Sequence, residues 1–353
     1  MPNYDAFLLV SFGGPEGPED VMPFLENVTR GRGIPRDRLA AVAEHYYAVG
    51  GISPINQQCR DLAAAVAKDF AASGLDLPVY WGNRNWKPYL TTAVAELAAA
   101  GAARVIALVT SAYGSYSSCR QYLDDIAAAC AEVGPAAPRI DKLRHFFSHP
   151  GFIEPFADHA RAAIESLPAD VGPDVPLVFT AHSVPEAMAA SSGPPPGGLY
   201  QAQLAEASRL VAERVGGAHP WRLVYQSRSG PPAQPWIGPD VCDHLEDLAR
   251  SGAPAAVLVP VGFVSDHMEV VHDLDVEAAQ TAERVGLRLA RAATPGTHPR
   301  FVSMITELVR ERIDGRLPGA MLGTLQPPRD ICHNDCCPAG PVRTGAGPGR
   351  VMG

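Results

Sequence analysis

Two stretches with the same pattern, LLVSFGGPE at residues 8–16 and LVFTAHSVPE at residues 177–186, decide the fold. Each starts with a short apolar run, passes through small residues and ends in Pro-Glu, which is typical of a strand that turns into a helix. A strand that is apolar throughout is buried on both faces, so it belongs to a parallel sheet covered by helices on each side. The repetition predicts an α/β protein with two similar lobes.

Four further apolar runs extend this pattern, and residues of helical periodicity separate them. The runs are LPVYWG (77–82), RVIALVTS (104–111), WRLVYQS (221–227) and AAVLVPVGF (255–263). We predict helices at residues 18–29, 36–47, 53–72, 88–100, 117–132, 151–166, 200–215, 240–250, 268–286 and 298–313. The polar stretch 167–175 separates two series of these units. We therefore predict a first lobe at residues 1–170, a second lobe at 171–315 and a tail at 316–353.

The composition excludes several classes of protein. The net charge is −9 and no stripe of Lys and Arg is present, which argues against a nucleic-acid-binding protein. The start MPNYDAFLLVSF carries no basic segment, and no run of 18 apolar residues occurs, so we expect neither a secretion signal nor a transmembrane helix. Without a secretion signal, the seven cysteines predict reduced thiols or a metal site in a cytoplasmic protein.

Parallel sheets bind ligands beyond the carboxyl ends of their strands, so a cleft between the lobes should collect residues from these ends. The ends lie at Phe12, Thr110, Thr180, Gln226 and Val261. His182 follows one of them, and a dense group follows another: Asp266, His267, Glu269, His272, Asp273 and Asp275. The positive end of a helix accounts for the carboxylates but not for the histidines. Their helical spacing predicts a line of metal ligands or proton carriers.

Several known catalytic motifs are missing from this sequence. The H-x-E-x-x-H spacing at residues 267–272 differs from the H-E-x-x-H of zinc proteases. No G-x-S-x-G and no G-x-x-x-x-G-K-[ST] occurs, which argues against a serine hydrolase and a nucleotide hydrolase.

Two arginines and two hydroxyl-bearing residues suggest an anionic substrate. Arg30, Arg32, Tyr47 and Ser53 lie in TRGRGIP and EHYYAVGGISPINQQ, beside a Gly-Gly turn and a helix start. Guanidinium and helix-start N–H groups are the usual partners of substrate carboxylates, although solvated arginines are the alternative.

The tail holds three thiols in DICHNDCCPAG, at Cys332, Cys336 and Cys337. Three thiols in six residues indicate a metal site, which normally needs a fourth ligand. Cys119 is the first candidate for this ligand and Cys130 the second. Zinc bound with the help of His333 is the alternative to an iron–sulfur cluster.

The chain resembles the ferrochelatases from Phe7 to Arg312. The segments that carry the resemblance occur in the family's order: LLVSFGGPEGPEDV, TRGRG, YYAVGGISPIN, GNRNWKP, TAHSVPE, YQSRSGPPAQPWIGPDV and PVGFVSDHMEVVHDLDVE. The resemblance implies two Rossmann-like lobes, each with a four-stranded parallel sheet flanked by helices, and a porphyrin cleft between them. It also implies catalytic residues His182 and Glu269 on opposite walls of the cleft, both of them ligands to the substrate Fe²⁺. The implied porphyrin contacts are Phe12, Arg30, Tyr47, Ser53 and Tyr116. Some bacterial members have a metal-approaching Tyr in place of Phe12, and Phe cannot serve as a ligand.

The resemblance further implies a substrate and a cofactor. It is closest to actinobacterial members, which metallate coproporphyrin III before a coproheme decarboxylase completes heme biosynthesis. Such members often hold a [2Fe–2S] cluster, here by Cys119, Cys332, Cys336 and Cys337, although the adjacent Cys336 and Cys337 depart from more widely spaced patterns. A protoporphyrin IX ferrochelatase, another tetrapyrrole chelatase, a non-catalytic heme or porphyrin carrier and a cluster-regulated sensor remain alternatives.

The implied chemistry requires the enzyme to distort its porphyrin. A cleft that bends the ring exposes nitrogen lone pairs to the metal and N–H protons to a base. On this hypothesis His182 accepts pyrrole protons as a neutral imidazole near pH 7, and the line that starts at Glu269 delivers iron or exports protons.

Overall fold

The computed structural model describes residues 4–31, 33–229, 233–316, 319–325, 332 and 336–338. These residues contain two four-stranded sheets in which every pairing is parallel. The first sheet has the order β2-β1-β3-β4, with strands β1 (Ala6–Ser11), β2 (Val79–Asn83), β3 (Arg104–Val109) and β4 (Arg139–Lys142). The second has the order β6-β5-β7-β8, with strands β5 (Leu177–His182), β6 (Trp221–Gln226), β7 (Ala255–Val259) and β8 (Arg288–Arg291). The equal strand orders confirm the prediction of two similar α/β lobes.

Strands β4 and β8 have no counterpart among the six apolar runs of the sequence. Their sequences are RIDK and RLAR, and every residue in them is partly or fully exposed. Each strand lies at the edge of its sheet, where one side is unpaired and charged residues are favoured. Such strands lack the apolar run by which the central strands are found.

The helices agree with the predicted spans to within a few residues, except α7, for which no span was predicted. They are α1 (Pro18–Val28), α2 (Arg36–Tyr47), α3 (Ile55–Ala72), α4 (Leu90–Ala99), α5 (Gln121–Val133), α6 (Pro150–Ser166), α7 (Glu186–Ala190), α8 (Leu199–Val215), α9 (Val241–Arg250), α10 (Met268–Val270), α11 (Ala279–Val285) and α12 (Pro299–Asp314). Two π-helical segments, Tyr116–Arg120 and Val271–Ala278, lead into α5 and α11. No helix within the described ranges is long and apolar enough to cross a lipid bilayer.

The last helix of each lobe packs against the other lobe. Helix α6 precedes the polar stretch 167–175 in the chain, but it packs on α8 and on strands β7 and β8 of the second sheet. Helix α12 returns to pack against α3 of the first lobe and against α6. Buried residues of both lobes therefore form one continuous core, including Phe7, Phe152 and Phe301.

A buried ion pair links α12 to the segment after β4. The Arg144 guanidinium donates to both carboxylate oxygens of Glu311, at 2.8 and 3.1 Å, and to the Ala320 carbonyl at 3.2 Å. The Arg144 side chain is 2% exposed and that of Glu311 is 11% exposed. The pair therefore joins α12, the first lobe and the start of the tail in a region that water barely reaches.

We expect Glu311→Gln to lower the free energy of unfolding by about 3 kcal/mol, because it leaves the Arg144 charge buried without a counter-charge. Asp247→Asn is the control, since the Asp247–Arg250 pair is more than half exposed on both sides. That variant should lose about 0.5 kcal/mol or less. Urea unfolding followed by tryptophan fluorescence measures both, and equal losses would contradict the assignment.

Candidate active site

His182 lies at the carboxyl end of β5, the strand between β6 and β7. It pairs in register with Gln226, the last residue of β6. Its Nδ1 is hydrogen-bonded to the Ser183 carbonyl, so Nε2 is the ring nitrogen that remains for a contact with another side chain. The Tyr200 hydroxyl donates to the His182 carbonyl at 2.9 Å. The side chain is thus held from its own strand and from α8.

Glu269 lies in the first turn of the helix that starts after β7. His267 caps this helix, because its Nδ1 accepts the Glu269 N–H at 3.1 Å. Gln226 donates from Nε2 to the Glu269 carbonyl at 2.8 Å, so the second strand end holds the same turn. From Val271 the helix continues in π conformation, which is frequent at functional sites.

His182 and Glu269 contact each other directly. His182 Nε2 lies 3.4 Å from Glu269 Oε2, and His267 Nδ1 lies 3.9 Å from the same oxygen. Both members of the pair come from the second lobe. This differs from the expectation that they occupy opposite walls, because no macrocycle fits between atoms at this distance.

The contact changes the protonation of both groups. Burial lowers the pKa of His182, but the Glu269 charge and the hydrogen bonds to Glu269 and Ser183 raise it to about 9. Burial raises the pKa of Glu269, but His182 and then His267 lower it to about 2. At pH 7 the free protein therefore holds an imidazolium beside a carboxylate, whereas the sequence interpretation expected a neutral imidazole.

A second group of metal-ligand types follows one turn along the π-helical segment. One ligand atom each of His272, Asp273 and Glu277 lies within 4.8 Å of the others. Burial raises the pKa of Asp273 and, with the charges of Glu269 and Glu277, brings it to about 6. Of the predicted line, Glu269, His272 and Asp273 lie together, and Glu277, which the prediction did not include, extends it. Asp275 pairs with Arg291 instead. The role of these residues as ligands or proton carriers stays a prediction.

The first lobe covers this line from the other side. The imidazole of His45, on α2, stacks on that of His272 with 3.9 Å between ring centroids and 3° between planes. Gln58, on α3, forms two hydrogen bonds with Asp266. Its side-chain amide donates to the Asp266 carboxylate at 3.3 Å, and its side-chain carbonyl oxygen accepts the Asp266 N–H at 2.8 Å. The candidate site therefore lies where the two lobes meet.

Tyr46 is a site residue that the sequence analysis missed. Burial raises the pKa of its hydroxyl, and the charges of Glu269 and Asp273 raise this pKa further. Tyr47, which the family resemblance implies as a porphyrin contact, is 39% exposed. The helical periodicity of the sequence could have indicated Tyr46, because Leu39 and Ala43 are buried on α2 and Tyr46 lies on the same face of this helix. Tyr47 as a porphyrin contact stays a prediction.

The other expected porphyrin contacts lie in the first lobe. Phe12 is half-buried, with its ring edge-on to Phe24 and the Arg84 guanidinium 5.8 Å from its centroid. Ser53 is buried and donates its N–H to the Pro15 carbonyl at 2.9 Å. Arg30 is exposed just after α1, and Tyr116 begins the first π-helical segment. Arg32 falls outside the described residues, and these roles stay predictions.

Four thiols converge on the far side of that π-helical segment. Cys119 lies in the same turn as Tyr116, and its thiol is hydrogen-bonded to that of Cys332, which raises the pKa of Cys119. The Sγ atoms of Cys336 and Cys337 are 3.7 Å apart. Cys130 is directed elsewhere, with Sγ 3.8 Å from the Pro138 carbonyl. His333 is not among the described residues.

The fold of this chain is similar to that of solved chelatase structures. The structure is similar to that of SirB from Bacillus subtilis with Fe³⁺, at a TM-score of 0.52 and 12% identity over 89% of this chain and 98% of that chain. It is also similar to the sirohydrochlorin chelatase SirB from Bacillus subtilis subspecies spizizenii in complex with cobalt, at 0.50 and 10% over 89% and 97%. The architecture is that of a chelatase.

The sequence profile of the ferrochelatase family matches residues 4–313, and the chain belongs to this family. It is 52% identical to the coproporphyrin III ferrochelatase of Streptomyces coelicolor, over 97% of this chain and 96% of that protein. It is 57% identical to the coproporphyrin III ferrochelatase of Nocardia farcinica over 89% and 90%. Identity to the ferrochelatase of Rhodopirellula baltica is 50% over 100% and 98%.

We expect Glu269→Gln to lower the pKa of His182 from about 9 toward the ordinary value of 6.5, because the variant loses the largest of the influences that raise this pKa while burial still lowers it. Wild-type His182 should lose its proton only as the pH rises through about 9. An NMR titration of protein with labelled histidine measures both, and Glu277→Gln, on the same helix but without influence on His182, is the control. A His182 signal that titrates alike in all three proteins would refute the pairing.

Proposed function

We propose that this protein inserts Fe²⁺ into coproporphyrin III to give coproheme. The observation that carries the proposal is the His182–Glu269 contact at a strand-end site between the lobes. Imidazole nitrogen and carboxylate oxygen are both ligands for ferrous iron. The proton that this pair holds occupies the position where a divalent cation would bind, so metal entry and proton loss are coupled.

The direct contact suggests on which side of the macrocycle the pair acts. His182 and Glu269 both belong to the second lobe, so the porphyrin lies between this pair and the wall of the first lobe that carries Phe12. Iron binding to His182 and Glu269 releases the shared proton. As the metal then moves into the ring, the two pyrrole protons leave: the neutral imidazole of His182 accepts one, and the other passes to the carboxylate of Asp273. Phe12 packs against the ring without serving as a ligand.

Asp273 suits the next step of proton transfer. Its pKa of about 6 makes it an acceptor that also releases its proton near neutral pH. It accepts hydrogen bonds from the Ser227 hydroxyl and, at 3.4 Å, from Gln226 Nε2, which keep it beside Glu269. Exposed Glu277 leads from there to solvent.

Coproporphyrin III is favoured over protoporphyrin IX as the substrate because, of eight relatives at least 50% identical to this chain, seven carry the name coproporphyrin III ferrochelatase, including those of Streptomyces griseus and Frankia alni. The product would then pass to a coproheme decarboxylase, which makes that enzyme the expected partner. We place both in the cytoplasm, where thiols stay reduced.

Anaerobic assays with Fe²⁺ should show conversion of coproporphyrin III at a rate at least about tenfold above that of protoporphyrin IX, followed by visible spectroscopy. His182→Ala should lower the rate by about a thousandfold, because it removes a metal ligand and the proton acceptor together. His159→Ala is the control, since this exposed histidine is bonded to the Ala293 carbonyl at 3.0 Å, away from the site. Tight binding of both porphyrins without metal insertion would establish the carrier instead.

We further propose that Cys119, Cys332, Cys336 and Cys337 hold a [2Fe–2S] cluster. The thiols fit this group because they form a chain of contacts, from Cys119 to Cys332, from Cys332 to Cys336 and from Cys336 to Cys337. Among the described residues no three of these sulfurs lie within 4.8 Å of one another. A single zinc ion would hold all four at about 3.8 Å from each other, whereas two irons take two thiolates each. A bound cluster would supply a one-electron centre and tie the tail to the first lobe.

We expect Cys332→Ser to remove the visible sulfide-to-iron absorption of protein purified without oxygen, because two irons with four thiolate ligands lose one of them. Cys130→Ser should keep the band, since this thiol is directed to Pro138. Iron and acid-labile sulfide are measured in both variants. Zinc in place of iron in the wild-type protein, or loss of the band in Cys130→Ser, would refute the ligand set.

A further inference from the structure

The loop between α7 and α8 lies between the four thiols and the catalytic histidine. Gly193 in this loop donates its backbone N–H to Cys337 Sγ at 3.0 Å. The residue has a φ of 80°, and a Cβ at this position would lie 2.5 Å from Cβ of Leu199. Only glycine fits here, so the loop approaches the sulfur in a fixed conformation.

Ser192, the preceding residue, ties this loop to both helices. It is fully buried, and its hydroxyl donates to the Ala189 carbonyl at 2.6 Å. The same oxygen accepts the N–H of Tyr200 at 2.9 Å, in the first turn of α8. The position of Tyr200 therefore depends on the turn that contacts Cys337.

Tyr200 completes the connection to the active site. Its hydroxyl donates to the carbonyl oxygen of His182 at 2.9 Å. The side chain is 3% exposed, and its ring packs edge-on against Tyr113 with 6.4 Å between centroids. A ring held in this way gives its hydroxyl one position, and that position fixes the backbone from which the imidazole projects toward Glu269.

We propose that Tyr200 is a positioning residue for His182, and that the Ser192–Gly193 turn links it to Cys337. The inference rests on the proposed function, because iron insertion is its main readout. Tyr200 acts through the peptide of His182, so its loss should affect the chemical step and leave porphyrin binding intact. Ser192 is hydrogen-bonded to Tyr200 and directly precedes Gly193, so its loss should affect both the catalytic step and the cluster.

Tyr200→Phe in the cluster-loaded protein should lower kcat for coproporphyrin III about tenfold, with KM and the visible circular dichroism of the cluster unchanged. The ring and its packing remain in this variant. Tyr113→Phe is the matched control, because it removes another buried hydroxyl that donates to a strand-end carbonyl, that of Val261 at 2.7 Å. Its kcat should stay within about twofold of the wild-type value.

Ser192→Ala should lower kcat and also change the circular dichroism of the cluster and speed its bleaching by an iron chelator. Ser208→Ala is the control for this arm, since Ser208 is a buried serine of α8 whose hydroxyl donates to the Leu204 carbonyl at 2.8 Å. It should leave all three quantities unchanged.

A Tyr200→Phe enzyme with wild-type kcat, or an equal loss in Tyr113→Phe, overturns the positioning role. A Ser192→Ala protein with an unchanged cluster spectrum overturns the link to Cys337. Wild-type protein that lacks turnover overturns the proposed function and this inference together, which distinguishes that failure from the other two.

Discussion

The register of β5 against β6 is the constraint on which the site depends. It pairs His182 with Gln226, so both side chains emerge at the same end of the second sheet. Gln226 then holds the turn that carries Glu269, and Gly262 packs so tightly on Ala181 that a Cβ would lie 2.6 Å from its Cα. A shift of one residue would move His182 to the opposite face of the sheet and separate it from Glu269.

In the proposed function, the proton that His182 and Glu269 share occupies the position at which the divalent cation would bind. The imidazolium of His182 is stabilised by the Glu269 carboxylate that it contacts. Burial and neighbouring charges raise the pKa of Asp273, one turn further along, to about 6. A site with a strongly basic group at the centre and a weakly acidic group behind it can release two protons, one from each group, in exchange for one divalent metal ion, so that the net charge stays the same. The first lobe, through Tyr46 and His45, closes this line from above.

Much of the fold could be predicted from the sequence, because central strands of a parallel sheet are apolar on both faces. The runs around Leu8 and Val178 are unmistakable for this reason. The edge strands β4 and β8 could not be found by the same rule, since charged residues suit an exposed edge, although the apolar edge strands β2 and β6 were found. Only the family resemblance implied four strands per sheet. The residue types of the site were also predictable, but the direct contact of His182 with Glu269 was not, because it depends on strand register and on the His267-capped turn that carries Glu269. Tyr46 was missed by one residue on a helix where adjacent positions point 100° apart.

The exchange of α6 and α12 between the lobes has a consequence for synthesis on the ribosome. The first lobe lacks a full cover for its core until α12 has been made, near the end of the chain. N-terminal units usually fold while the remainder of the chain is still being translated, but here the first lobe cannot complete its packing until α12 is available. Both lobes reach their final packing together, after translation has passed the last core helix, and the nascent chain must keep its apolar strands from aggregating until then.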